Sequence, residues 1–562
     1  MNPLIQLEDV HFKYPGSKEK VLHGASLTID EGEFLAVIGG NGSGKTTLCK
    51  TFNGLIPNYY TGEFSGDIVV NGQDVSASTV SQMSHEVGYV YQDFENQLMR
   101  PTVFDDVAFA PLNFGLPDFH EKAEWALGVL GLTDIKDHSI WQLSGGQKHL
   151  TAIAGVLALN PKILIIDEPV AQLDPHHAKD IYERLKDLQE NYGKTIIVIE
   201  HHTEFIAEYC TNVLLVDHGR VAWKQSVKEG LNKVEDLIQR DIFPPQVTQA
   251  AMMREEIDAP YPLTIKEGTN HFKGYSLMDT RKDQDLEIGK EVVSLENITY
   301  TGRTISGGKK KILDKVSTCF FEGERIALVG TNGAGKTSLM KCLTGMVKPD
   351  AGEVFIDRES TKDLTFEETT ERVSYIFQNP EEMFIQDSIK NDLEFYDRSR
   401  GIDRKEFLDQ LVSSFRLQEV FHKDGRLLSG GQQRRASMAI GLATDPRLVM
   451  LDEPTASLDV QSRKELTKIL KEMESVSTVL IATHDMQLVA EWATRVLVMD
   501  QGEIIYDGKP RMMFSQEHVW KQAGLIPPQI VQLSLALGLI PAALSVEEFL
   551  RCIKEVETLA VR

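Results

Sequence analysis

The sequence predicts an α/β protein made of two tandem copies of one domain. Each copy has an α/β core, an inserted helical subdomain and a small C-terminal extension. Three observations predict this. A set of short motifs recurs in the same order in the two halves of the 562-residue chain. In each half a glycine-rich loop joins an apolar strand to a helical pattern. Later in each half come continuous apolar runs, which suit strands buried on both faces of a mostly parallel sheet.

The bulk properties fit this reading. With 42% hydrophobic and 25% charged residues the chain has the composition of a globular protein. A net charge of −24 argues against a nucleic-acid backbone as main partner, because that binding needs a basic face. The five cysteines are scattered without CxxC spacing, which favours free thiols over a disulfide framework or a zinc site. The N-terminal MNPLIQLEDV lacks the layout of a signal peptide. The longest apolar stretch, Val531–Leu544, is interrupted by Gln532, Ser534 and Pro541, so no transmembrane segment of the chain's own is expected.

The repeat sets the domain plan. Gly39–Thr46 reads GGNGSGKT and Gly330–Thr337 reads GTNGAGKT. LSGGQ occurs at Leu143–Gln147 and again at Leu428–Gln432. Ile163–Pro169 reads ILIIDEP and Leu448–Pro454 reads LVMLDEP. Ser144 precedes Asp167 by the same interval as Ser429 precedes Asp452. The expected domains are residues 1–225, an extension over 226–265, a polar linker over 266–290, a second copy over 291–513 and a second extension over 514–562.

Taken in order, each copy offers short alternating apolar strands (Phe34–Ile38, Arg325–Val329), the glycine loop and a helix. A glutamine follows (Gln92, Gln378), then a mainly helical stretch such as Glu121–Gly131, then LSGGQ. Last come the paired apolar runs Ile163–Ile166 with Thr195–Ile199, and Leu448–Leu451 with Thr478–Ile481.

GxxxxGK[ST] between a strand and a helix is a phosphate-binding loop. Its glycines let backbone N–H groups face the phosphates, and the helix N-terminus adds a favourable dipole. The candidates are Gly39, Asn41, Gly42, Gly44, Lys45, Thr46 and Thr47, and then Gly330, Asn332, Gly333, Gly335, Lys336, Thr337 and Ser338. Lys45 and Lys336 would neutralise phosphates, and Thr46 and Thr337 would offer hydroxyls to Mg²⁺. Asp167 and Asp452 end buried strands, where a carboxylate can hold the Mg²⁺ shell. Glu168 and Glu453 follow them, placed to polarise an attacking water as general bases.

LSGGQ followed by this Asp-Glu strand resembles the signature of ABC-type ATPases, and the likeness covers nearly the whole chain. The resemblance implies ATP and Mg²⁺, and a head-to-tail sandwich in which each signature caps ATP held by the other half. One composite site would use Lys45, Thr46, Gln92, Asp167, Glu168 and His201 with Ser429, Gly430, Gly431 and Gln432. The other would use Lys336, Thr337, Gln378, Asp452, Glu453 and His484 with Ser144, Gly145, Gly146 and Gln147. It further implies that Gln92 and Gln378 sense Mg²⁺ and water, that His201 and His484 contact the γ-phosphate, and that Asp174 and Asp459 communicate between sites. Tyr14 and Tyr300 stand where the family's adenine-stacking aromatic lies; an aromatic simply packed on a strand is the alternative. The first half departs at Val170, Gln172, Lys148, His149 and Glu200, where the second has Thr455, Ser457, Gln433, Arg434 and Thr483. None of these changes removes a catalytic group.

Phe243–Gln249 reads FPPQVTQ and Ile526–Gln532 reads IPPQIVQ. A Pro-Pro pair can simply start a helix, yet its recurrence after both copies points to a shared accessory domain. The run from Pro527 to Leu550 resembles the C-terminal region of ATPases from energy-coupling-factor importers of vitamins and transition metals. That implies a peripheral protein at the cytoplasmic face of the cell membrane, with a transmembrane coupling subunit and a membrane substrate-binding subunit as partners. The glutamine loops QDFENQL and QNPEEMF would receive the membrane subunits' coupling helices, or are plain solvated acidic surface. A fused sugar-import ATPase, or a twin-cassette factor acting on ribosomes or DNA, is the alternative.

Overall fold

A computed structural model describes residues 3–170, 173–254, 260–278, 289–303, 308–455, 460–472 and 478–555. The chain forms two compact units, Met1–Lys273 and Gly274–Arg562.

In the first unit a six-stranded sheet runs in the order Arg220–Ser226, Asn212–Asp217, Phe34–Ile38, Thr195–Ile199, Ile163–Asp167, Val87–Val90. All neighbours are parallel except the first pair. The two faces of its strands serve two cores. Phe34, Ala36, Ile38, Leu164 and Ile166 face the helical side. Leu35, Val37, Ile163, Ile165, Ile197 and Ile199 face a four-stranded antiparallel sheet built on Leu22–Ile29, Ile5–Lys13, Glu63–Val70 and Gln73–Asp74. Burial on both sides is why Phe34–Ile38 and residues 163–166 and 196–199 are apolar at every position.

The second unit repeats the plan. Its six strands are ordered Val373–Ile376, Leu448–Asp452, Thr478–Ala482, Arg325–Val329, Arg495–Asp500, Glu503–Gly508. Val449, Leu451, Val479 and Ile481 face the helical side, while Ile326, Leu328, Met450 and Leu480 face the antiparallel sheet. The expected helical insertions are present, Val103–Val107 through Phe119–Leu130 in one unit and Ile389–Leu393 through Lys405–Ser414 in the other. Gly131, at φ +70°, closes the longest of these in the first unit.

Three sequence expectations need correction. Phe34–Ile38 and Arg325–Val329 are central strands, not half-exposed alternating ones; all five residues of Phe34–Ile38 are buried. They are also not where the halves begin, because the antiparallel sheet precedes them. The proposed linker at 266–290 is ordered at its start. Ile265–Phe272 is a helix with a Thr264–Glu267 capping box and a buried Phe272, so it belongs to the first unit. Tyr275–Leu277 then pairs antiparallel with Ile553–Glu555 inside the second unit.

The extensions share one construction. Gln249 Nε2 donates to the Pro244 carbonyl at 2.7 Å, and Gln532 Nε2 to the Pro527 carbonyl at 2.7 Å. Glu267 accepts from the Leu263 N–H at 2.8 Å, and Glu548 from the Leu544 N–H at 2.7 Å. The second extension opens with the helix Pro510–Ser515, so the boundary expected at 513/514 falls inside a helix. Among the described residues no helix is long and apolar enough to cross a membrane.

Candidate functional site

In each unit the central strand delivers the glycine loop to the N-terminus of a helix, Lys45–Phe52 or Lys336–Leu343. Gly39 has φ +153°, and a Cβ there would lie 2.2 Å from the Val216 carbonyl oxygen. Gly330 has φ +149° with the same 2.2 Å clash against Met499. No other residue fits either position. Asn41, Gly42, Asn332 and Gly333 are exposed at the loop tips, and Gly44 and Gly335 are left-handed caps of the helices. Lys45 Nζ donates to the carbonyls of Gly39 at 2.8 Å and Gly40 at 3.0 Å; Lys336 does so to Gly330 at 2.7 Å and Thr331 at 3.2 Å. Both ammonium groups are thereby held at the mouth of their loop. Thr47 is buried and Ser338 half-buried on the helices that follow.

The aspartates sit beside the loop threonines. Asp452 Oδ2 accepts from Thr337 Oγ1 at 2.9 Å and Tyr375 OH at 2.7 Å. Asp167 Oδ2 accepts from Tyr89 OH at 3.1 Å and is also hydrogen-bonded to Thr46. Burial pushes the Asp167 carboxyl up, more than the Tyr89 hydrogen bond pulls it down. A threonine hydroxyl beside a buried carboxylate is an all-oxygen donor set, which suits Mg²⁺.

Glu168 and Glu453 leave their strands with positive φ, +53° and +45°. A non-glycine residue there costs about 1–2 kcal/mol. The turn is fixed by hydrogen bonds from the Glu168 N–H to Ile199 at 3.0 Å and the Glu453 N–H to Ala482 at 2.8 Å. It swings each carboxylate away from the strand. Glu168 is bracketed by Gln92 Nε2, which donates to it at 2.7 Å, and His201 Nε2 at 3.4 Å. Glu453 instead meets His484 Nδ1 at 3.0 Å, in ion-pair range but out of line for a hydrogen bond, and accepts from the His484 N–H at 3.3 Å. Burial is the largest single influence on the His484 pKa and lowers it, but the contact and charge of Glu453 and the charge of Asp485 together outweigh it and the net shift is upward. Gln378 is exposed and makes no bond to Glu453.

The signatures start the helices Gly145–Leu157 and Gly430–Leu442. Ser144 and Gln147 form a capping box: the Gln147 N–H donates to Ser144 Oγ at 3.3 Å, and the Ser144 N–H to Gln147 Oε1 at 3.0 Å. Gln432 Oε1 accepts from the Ser429 N–H at 3.3 Å in the same way. The glutamines read as nucleotide ligands are therefore helix caps in each unit. Gly145 is half-buried, Gly146 faces His177 too closely to carry a Cβ, Gly430 opens to free space and Gly431 is half-buried.

Tyr14 packs edge-on against Phe12 at 4.7 Å and its hydroxyl lies 3.3 Å from Thr47 Oγ1; Tyr300 is half-buried against the second unit's core. Asp174 caps the helix Pro175–Tyr192 and pairs with His177 Nδ1 at 2.7 Å. Asp459, Gln172 and Ser457 lie outside the described residues.

Sequence reasoning missed several residues. Tyr89 and Tyr375, which hold the aspartates, stand three positions before Gln92 and Gln378. Asp106 and Asp392 are buried and stand fourteen positions after those glutamines. Asp106 accepts from the Met99 and Arg100 N–H groups at 2.7 and 2.9 Å, and Asp392 from those of Ile385 and Gln386 at 3.0 and 2.8 Å, fixing the exit of each glutamine loop. Equal spacing in both copies was the signal that could have found all four.

Comparison with known proteins agrees with this geometry. The family profile described as "ABC transporter" matches residues 22–171 and 313–456. A protein of Caldanaerobacter subterraneus subsp. tengcongensis named "Putative ABC transporter ATP-binding protein" is 34% identical over 98% of this chain and 99% of its own length. A structure of cbiO1 from Clostridium perfringens, part of the ABC transporter complex cbiONQ, is 33% identical over 43% of this chain and 96% of its own, with a TM-score of 0.38. The archaeal ribosome recycling factor aABCE1 covers 90% of this chain and 91% of its own with a TM-score of 0.57, but at 19% identity the likeness is one of fold alone. Twin phosphate loops, twin Asp-Glu strand ends and twin signatures thus meet a match in both halves: the chain belongs to the ABC transporter ATP-binding family, as an ATPase with two cassettes fused in tandem.

Proposed function

We propose that this ATPase drives an energy-coupling-factor importer of a vitamin or metal ion, from the cytoplasmic face of the cell membrane. One observation carries the reading beyond the family. The stretch Pro527–Leu550, which resembles the C-terminal region of such ATPases, has a counterpart in the first extension with the same proline-glutamine turn and glutamate cap, and this supports the reading.

The surface around the glutamine loops supports a membrane-subunit partner. Met99 and Trp141 are 68% and 72% exposed in the first unit, and Ile385 and Leu427 are 71% and 83% exposed in the second. Large apolar side chains left in water close to an acidic loop are what a short amphipathic helix would cover.

The site residues take the following roles. The loop N–H groups, Lys45 and Lys336 bind the phosphates. Thr46, Gln92 and Asp167, with Thr337, Gln378 and Asp452, would hold Mg²⁺, which supplies charge neutralisation at the phosphates. Glu168 and Glu453 accept a proton from water, and His201 and His484 face the γ-phosphate. Each signature serine and glycine pair donates to the ATP of the other cassette. Closure on ATP moves the coupling subunit, and hydrolysis reopens the pair.

Co-purification from solubilised membranes tests the reading. Recovery with a transmembrane coupling protein and a second small membrane subunit is expected. A protein recovered alone and stimulated by ribosomes would replace it with the ribosome-acting alternative. A fused sugar-import ATPase is less favoured, since such proteins tend to carry one altered site and both sites here keep their groups.

A further inference from the structure

The first cassette holds His201 in a way the second does not hold His484. Glu200, next to His201, is a carboxylate only 2% exposed. It accepts three hydrogen bonds: from Tyr182 OH at 2.8 Å, from the His201 N–H at 2.7 Å and from the His202 N–H at 2.9 Å. Burial first, and the Glu200 charge next, push the Tyr182 phenol up, so it stays a donor. One residue further on, Thr203 Oγ1 donates to the Phe243 carbonyl at 2.8 Å. Phe243 opens the FPPQ turn of the extension, and Thr203 is itself buried. The same extension reaches the phosphate loop, since the Arg240 carbonyl lies 3.9 Å from where a Cβ on Gly40 would stand. Arg240 is fastened to the core through Asp217 at 2.9 Å.

The corresponding residues of the second cassette are Thr483 and Met486. Thr483 accepts only from the Asp485 N–H, at 3.0 Å, and Met486 has no hydroxyl to donate.

We propose that Glu200 is a positioning residue for His201, and that Thr203 ties the same segment to the first extension. Glu200 fixes the peptide planes on either side of His201 and so aims its ring at Glu168. Thr203 makes that aim depend on the extension packing in place. This rests on His201 acting at the γ-phosphate, as read above. A buried carboxylate with three donors is not needed to fold a strand end, as Thr483 demonstrates, and its use here goes to the two N–H groups flanking the ring.

The test is steady-state ATPase kinetics of the full chain. For Glu200→Ala we expect kcat to fall about tenfold with KM within about twofold, the cost of a misplaced group rather than of lost binding. Glu200→Gln keeps an acceptor for both N–H groups and should recover most of kcat. Thr203→Val should lower kcat about threefold and Thr203→Ser should restore it. Thr203→Val also covers the case in which Glu200→Ala does not fold. Wild-type kcat in Glu200→Ala and Thr203→Val, or a Glu200→Gln as impaired as Glu200→Ala, would overturn the proposal. His201→Ala separates the two levels. If it leaves kcat unchanged, the role of His201 fails; if it abolishes turnover while Glu200→Ala and Thr203→Val do not alter kcat, only the positioning fails.

Discussion

The two cassettes carry the same reactive groups and anchor them differently. In the first, Glu168 is met by Gln92 and by the Nε2 face of His201, and the histidine's backbone is held by Glu200. In the second, Glu453 is met by the Nδ1 face of His484, and Thr483 holds only a neighbouring N–H. The joint between the glutamine loop and the signature helix differs as well. His149 is buried and stacked on Phe94 at 4.3 Å, and Lys148 bridges to Glu95 at 2.8 Å. At the same place Arg434 donates to the Phe377 carbonyl at 3.4 Å and Gln433 to Glu381 at 3.5 Å. Duplication therefore preserved the chemistry while each copy found its own packing to support it.

The largest expected effect probes whether the sites work as equals. Glu168→Gln and Glu453→Gln, made singly, should each cut turnover by about 10²-fold or more, the range for loss of a general base. A single variant that kept half the activity would mean independent sites and would contradict a turnover that needs both.

Next is the His149 stack. His149→Ala removes a buried ring from the joint and should cost about 2–4 kcal/mol, within the range for large-to-small core changes, read as a lowered unfolding midpoint of the first unit. Burial holds the His149 pKa down at about 3, while an unfolded histidine titrates near the ordinary value of about 6.5, so the stability of the first unit should be full above that value and fall as pH drops towards 5, where only the unfolded chain takes up the proton. A wild-type midpoint no more sensitive to pH between 5 and 8 than that of His149→Ala would contradict a neutral, buried ring.

His484 offers a contrast with an explicit sign. Its folded pKa is raised, so its pairing stabilises the second unit fully below the ordinary histidine value of about 6.5 and is lost as pH rises through the folded value. In Glu453→Gln burial and the Lys336 charge are opposed by the Asp485 charge alone, a smaller influence than burial, and the His484 resonance should titrate below the ordinary range. A value unmoved by that substitution would show that Glu453 is not its partner. The smallest effect belongs to Lys148→Ala, a partly exposed bridge that should cost less than about 1 kcal/mol.

Much of this was legible in the sequence because phosphate chemistry narrows the choice of residue. Lys45, Asp167, Glu168 and their counterparts stand in the same order in both copies, the lysine just after a turn that only glycine can make. The antiparallel sheet was not legible, since Ile5–Lys13 pairs with Glu63–Val70 across the whole phosphate loop and its helix, and such register leaves no local trace. The helix Ile265–Phe272 was missed although Thr264 and Glu267 spell a capping box, because its polar composition reads as linker. Glu200 looks like an ordinary surface charge until Tyr182, eighteen residues away, closes over it. Gln147 and Gln432, singled out as nucleotide ligands, also have a use the motif did not spell out, since each caps its own helix.

The most direct test of the account is the doubly substituted protein Glu168→Gln with Glu453→Gln, incubated with radiolabelled ATP and Mg²⁺ and separated from free nucleotide. The account predicts loss of hydrolysis with two intact ATP molecules retained per chain. Turnover equal to wild type, or no ATP retained by a folded protein, would contradict it.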